Sequence, residues 1–217
     1  SLEQEPIVLK GHIGPVTSAA LAPDGQLVVT GGEDQTARIW APSRCGDSRL
    51  LQGHTDGVVA LAYSSDGREL VTGANDATAI VWDVATGLSR LTLAGHTQRV
   101  ACVAFSPERR QIATGSLDGR AIVWDAATGA KLLTLSGHPG GVTTLAYAPD
   151  GRILVTGGAD REVRLWDANS GAAQPMNVQA EAEITGVSIA PDGRRLAVGE
   201  HQGRLTVWDF PGGTNQL

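Results

Sequence analysis

The five tryptophans stand at Trp40, Trp82, Trp124, Trp166 and Trp208, each 42 residues from the next. Gly-His pairs keep the same interval at Gly11-His12, Gly53-His54, Gly95-His96 and Gly137-His138, and Gln179-Ala180 occupies the place of a fifth pair. A catalytic constellation occurs once in a domain, whereas an interval held without insertion along the chain demands one structural unit built five times. The units fall at about 11–52, 53–94, 95–136, 137–178 and 179–217, with a short segment at 6–10 ahead of them.

Each unit reads as four short strands. After His138, "VTTLAY" alternates as an inner strand does, "APDGR" supplies a turn, "ILVTGG" a second strand, "ADRE" a tight turn and "VRLWD" a third strand. Segments such as "KLLTL" at Lys131 to Leu135 then supply a fourth strand before the next Gly-His. The 28 glycines and 10 prolines suit the many turns of an all-β chain. A lone four-stranded sheet leaves both broad faces needing cover, and sheets arranged in a ring cover one another.

A 42-residue unit that opens on Gly-His and closes on Trp-Asp resembles the WD40 family of β-propellers, over essentially the whole chain. The resemblance implies one all-β domain over 1–217, a β-propeller of five four-stranded antiparallel blades. "PIVLK" precedes the first Gly-His as a fourth strand would, so the expectation is that residues 6–10 complete the last blade and clasp the two ends. A five-bladed ring turns about 72° per blade, within the roughly four to eight blades that propellers use. The alternative is that blades are missing or come from another chain, and that exposed blade faces drive association.

In this family a His, a Ser or Thr, an Asp and the Trp form a buried hydrogen-bonded chain within a blade. The matching residues are His12, Thr30, Asp34 and Trp40; His54, Thr72, Asp76 and Trp82; His96, Thr114, Asp118 and Trp124; and His138, Thr156, Asp160 and Trp166. The implied role is structural, since it satisfies polar groups that are costly to bury unpaired. The fifth unit has Ala180, Val198 and Gln202 with Trp208, so it is expected to be the least stable blade, and Trp208 needs another partner or water.

Little is left over for chemistry. Four of the five histidines belong to the repeat, and His201 in "VGEHQG" has no second His or Cys of its own to build a zinc site. "TGGED" at Thr30 and "TGGAD" at Thr156 lack the Lys and helix of a phosphate-binding loop, and the recurring Asp24-Gly25, Asp66-Gly67, Asp150-Gly151 and Asp192-Gly193 read as hairpin turns, with Glu108-Arg109 in their place in the third unit. No nucleophile with its own base stands out. The expectation is a chain that is not an enzyme and uses no cofactor or metal. Cys45 and Cys102 stand at different points of the repeat and form no paired motif, which suits a cytoplasmic location. A net charge of -6 without a basic run disfavours nucleic acid, and no apolar run spans a membrane.

What remains is a binding surface on the loops. In relatives partners dock on the residue three after the repeat His, the one two beyond it and the one before the Asp. These map to Pro15, Thr17 and Glu33; Gly57, Val59 and Asn75; Arg99, Ala101 and Leu117; Gly141, Thr143 and Ala159; and Glu183, Thr185 and His201. Arg99 with Leu117 is the one adjacent pair suited to anchor a partner, flanked by Glu33, Asn75, Glu183 and His201. The function expected is therefore a non-enzymatic scaffold or regulatory module for a protein or peptide partner. The alternative is a self-assembling propeller unit that forms a homo-oligomer.

Overall fold

A computed structural model describes residues 6–42, 48–108 and 110–210; Cys45 and Arg109 lie outside them. The first blade is β1 (Val16–Leu21), β2 (Val28–Gly32), β3 (Thr36–Trp40) and β4 (Ser48–Gln52). The second is β5 (Val58–Tyr63), β6 (Glu69–Ala74), β7 (Thr78–Asp83) and β8 (Ser89–Ala94), and the third β9 (Val100–Phe105), β10 (Gln111–Ser116), β11 (Arg120–Asp125) and β12 (Lys131–Ser136). The fourth is β13 (Val142–Tyr147), β14 (Ile153–Gly158), β15 (Glu162–Asp167) and β16 (Ala173–Gln179), and the fifth β17 (Ile184–Ile189), β18 (Arg195–Glu200) and β19 (Leu205–Asp209). Every sheet is an antiparallel meander in sequence order.

Burial explains the strand compositions. The second strand of each blade has sheet on both sides and lies between neighbouring blades, so "ILVTGG" of β14 is buried at every residue and runs apolar or small throughout. The fourth strand is an outer edge: in "KLLTLS" of β12 only Leu135 is buried. Pro175, which cannot donate to a ladder, sits on the edge strand β16. The tight turn between second and third strands needs a positive φ at its last residue, met by Gly119 (84°) and Gly203 (83°) but also by Gln35 (66°), Ala77 (66°) and Arg161 (69°).

The core is four apolar clusters, one between each pair of successive blades. Between the second and third, Val71, Ala79 and Val81 meet Val100, Val103, Phe105 and Trp124. The remaining three clusters use the corresponding residues of their own blades. Each inner strand begins at a register shift, and its first residue (Val58, Val100, Val142 or Ile184) inserts over a glycine of the preceding blade. An added Cβ at Gly31, Gly73, Gly115 or Gly157 would stand 2.6 to 2.8 Å from the inserted side chain. Only a glycine lets the blades approach this closely.

The structure departs from the closed ring at both ends. Residues 6–10 belong to no strand, with Ile7 and Val8 exposed, so among the described residues the expected clasp is not formed and the fifth blade's sheet has three strands. Blades pack in order, β1 on β5, β5 on β9, β9 on β13 and β13 on β17, and no comparable packing joins the fifth blade to the first. Val16 is 54% exposed where Val58, Val100, Val142 and Ile184 are 0%, and Leu205 is 70% exposed where Ala37, Ala79, Ala121 and Val163 are at most 2%. The described residues form an open arc of five blades. The clasp fails for a physical reason: it requires the ends to meet, and where they meet is set by the turn added at each of four blade interfaces.

Candidate binding face and the structural tetrads

Each of the first four blades contains the same chain of hydrogen bonds. In the third, Trp124 Nε1–H donates to Thr114 Oγ1 (2.9 Å), which lies 2.8 Å from His96 Nε2, and His96 Nδ1 lies 3.0 Å from Asp118. The hydroxyl has one proton and already accepts from the indole, so it donates to Nε2; Nδ1 then carries the imidazole proton and donates to the carboxylate. The corresponding Thr–His and His–Asp distances are 2.7 and 3.0 Å in the first blade, 2.8 and 2.9 Å in the second and 2.7 and 2.9 Å in the fourth. Every polar atom of the imidazole is thereby used inside the blade, tying the segment before the inner strand to the second and third strands.

The carboxylates are held by more than histidine. Asp34, Asp76 and Asp118 accept the backbone N–H of Ile13, Thr55 and Thr97. Pro139 has no such proton, and in that blade Arg164 Nη1 donates to Asp160 Oδ2 at 2.9 Å. Burial alone would raise the Asp34 carboxyl, yet the Ile13 N–H, the Thr36 hydroxyl and His12 bring it down to about 2. Asp76 and Asp118 are lowered too, against the same burial, by hydrogen bonds of this kind.

Burial pushes His96 and His138 below the ordinary histidine range, and their Asp partners offset it only in part. Folding therefore favours the neutral ring, and the unfolded chain binds more protons below its own histidine pKa of about 6.5. Stability should be full above that value, fall as pH drops through it, and fall again below about 4 as the depressed Asp carboxyls are protonated. Two histidines set a ceiling of about 2.7 kcal/mol per pH unit on the first loss. Urea midpoints should hold from pH 8 to about 7 and then decline toward pH 5; a profile flat over the whole range would contradict the buried neutral rings.

The fifth blade replaces the tetrad with something else. Glu200, buried, accepts the backbone N–H groups of Glu181 (2.9 Å) and Ala182 (3.0 Å) on Oε2. Glu181 occupies the place of Ile13 and Thr55, so Glu200 does for this blade what Asp34 and Asp76 do for theirs. Blades with the histidine have Gly32, Ala74, Ser116 or Gly158 at this position, and a Cβ at Gly32 or Gly158 would stand 2.7 or 2.4 Å from the imidazole. Ala180 vacates that space. Trp208 Nε1–H donates to Thr206 Oγ1 (2.9 Å) instead of to a second-strand hydroxyl. The signal in the sequence was a Glu where other repeats carry a small residue, in the one repeat without its histidine.

The residues mapped for partner binding sit on the turns beside the inner strands. In every blade the turn residue donates its backbone N–H to the carbonyl of the residue three after the repeat His: Glu33 to Pro15, Asn75 to Gly57, Leu117 to Arg99, Ala159 to Gly141 and His201 to Glu183, at 2.9 to 3.1 Å. Arg99 and Leu117 therefore stand side by side in the central blade, with Arg99 exposed and Leu117 half-buried against Gly141 of the next. Asn75 is half-buried beside Gly57, and Glu33, Glu183 and His201 are exposed. Glu33 lies in the first blade and Glu183 with His201 in the fifth, so the open arc leaves these at opposite ends. Thr17 and Thr143 donate their hydroxyls to the Val58 and Ile184 carbonyls of the following blade and are tied into the frame.

Reactive groups are few in this region. Cys102 is a free thiol that burial pushes up to about 12, well away from thiolate chemistry. Among the described residues no group of three His, Cys, Asp or Glu could hold a metal ion. The model for the IFT122 first beta-propeller matches residues 58–216, and the WD domain, G-beta repeat model matches residues 4–41. The chain belongs to the WD40-repeat β-propeller family. WD40 domains generally bind proteins and are generally non-catalytic. The periodic tryptophan protein 2 homolog of Neurospora crassa is 61% identical over 33 residues, which is 15% of this WD40 chain and 4% of that protein.

Proposed function

We propose that this WD40 chain is a non-catalytic platform for a protein or peptide partner, centred on Arg99 and Leu117. The observation that carries the reading is the Leu117 N–H to Arg99 carbonyl bond of 3.1 Å, which holds a cationic and an apolar residue next to each other in the backbone of the middle blade, Arg99 exposed and Leu117 half-buried. A guanidinium presents forked donors suited to a carboxylate, and an aliphatic side chain beside it suits an apolar neighbour. The partner is thus a segment with an Asp or Glu next to an apolar residue. The free Cys102 thiol supports a cytoplasmic setting, and the net charge of -6 supports a partner other than nucleic acid.

A displayed library of short peptides, selected on the chain, tests this. Selected peptides should carry the acidic and apolar pair, and Arg99→Ala with Leu117→Ala should weaken them at least about tenfold. Peptides of unrelated composition, or binding unchanged in the double variant, would reject this face.

A further inference from the structure

The two bare end faces of the arc are the two halves of a contact that the chain already makes four times. On one side of each internal interface lie residues such as Val71, Gly73, Ala79 and Val81, and on the other Val100, Val103 and Phe105. Advanced by the repeat, the first set becomes Ala197, Gly199, Leu205 and Val207 of the fifth blade. Set back by the repeat, the second becomes Val16, Ala19 and Leu21 of the first blade. Val16, Leu21, Leu205 and Val207 are all exposed, and a Cβ at Gly199 would find only the blade's own Gly186 and Thr185 within 4 Å.

We propose that these faces bind each other between copies of this chain, the fifth blade of one receiving the first blade of the next. Val16 of the second copy would insert over Gly199 as Val58 inserts over Gly31 and Ile184 over Gly157. The Thr185 hydroxyl, which donates to its own blade's Gly199 carbonyl at 3.3 Å, would also reach the incoming Val16 carbonyl, as Thr17 reaches that of Val58 and Thr143 that of Ile184. The second copy also brings its segment 6–10 to the edge of β19 that is open among the described residues. Its Leu9 is in step with Leu51, Leu93 and Leu135, each paired with the residue equivalent to Leu205 in its own blade, namely Ala37, Ala79 and Ala121. A second copy supplies the inserted valine, the apolar face and the edge segment together. Contacts that join unlike ends repeat around a ring or along a helix.

The experiment is native mass spectrometry and sedimentation velocity from about 100 μM down to about 100 nM, on the wild-type chain and two variants. Val16→Asp spoils only the inserting end and Leu205→Glu only the receiving end; both positions are exposed within one chain, so each variant folds. The wild type should form concentration-dependent oligomers, and each variant alone should associate at least about 100-fold more weakly. Mixed, they retain one sound interface and should form a dimer that stops at two copies. A wild type that stays monomeric at the highest concentration overturns the proposal and leaves these faces to blades of another polypeptide. So does association that survives in either variant, or a mixture that forms no dimer.

Discussion

Gly73→Ala and Gly199→Ala should change stability in opposite directions, although the two glycines occupy the same position of the repeat. At Gly73 the new methyl would stand 2.8 Å from Val100 Cγ1, 3.0 Å from Val103 Cγ1 and 3.2 Å from the Val100 carbonyl oxygen. Valine is stiff at χ1 and the carbonyl belongs to the next blade's backbone, so relief requires the blades to separate. A loss of about 2 kcal/mol or more is expected. At Gly199 the nearest foreign atom is 3.8 Å away, and the residue has an ordinary strand φ, so alanine mainly reduces the entropy of the unfolded chain. A gain of about 0.5 kcal/mol follows in dilute solution. Urea unfolding of the monomer reads both values, and equal losses would mean that the fifth blade is covered.

Thr114→Val should be the most damaging change that leaves volume unaltered. Thr114 is fully buried and is the only link between Trp124 and His96 in the chain of bonds described above. Valine removes an acceptor from the indole N–H and a donor from His96 Nε2, leaving two buried polar atoms unpaired, at a cost of about 3 kcal/mol. The fifth blade gives the control, because Val198 already fills this place beside Ala180 and is itself fully buried. Restoring the hydroxyl there with Val198→Thr brings no partner histidine, and Trp208 is already bonded to Thr206. That change should therefore stabilise nothing. Local hydrogen exchange in β10 and β11 should rise in Thr114→Val before exchange rises elsewhere, since repeat units open in part independently.

Much of this architecture could be read from residue spacing. The inner and second strands expected after His138 coincide with β13 and β14 to the residue, because alternation, Asp-Gly turns and the Trp-Asp close are local signals. The tetrad members could be paired in advance because the resemblance to the WD40 family implies which four residue types bond together, and the 42-residue spacing places them in the same relation four times. Two features escaped for different reasons. Residues 6–10 have the composition and phase of a fourth strand, and Leu9 is in step with buried leucines, but whether the ends meet depends on accumulated packing angles that no local pattern carries. Glu200 escaped because the fifth unit was compared only at the tetrad positions, where Gln202 stands for the Asp, whereas the replacement carboxylate stands two residues earlier, beside the space left when His became Ala180. On the candidate face, the repeat paired Arg99 with Leu117; that Thr17 and Thr143 are tied to the following blade is a tertiary fact.

The open arc is tested most directly by amide hydrogen exchange of β19 against β7 and β11, at a dilution where the chain is monomeric. Those two strands are hydrogen-bonded on both sides, whereas among the described residues β19 has a neighbour only in β18. Exchange in β19 should be orders of magnitude faster than in β7 and β11, with protection of Leu205 to Val207 appearing as concentration rises. Protection of β19 equal to that of β11 in the monomer would mean that a strand covers its edge and that the ring is closed.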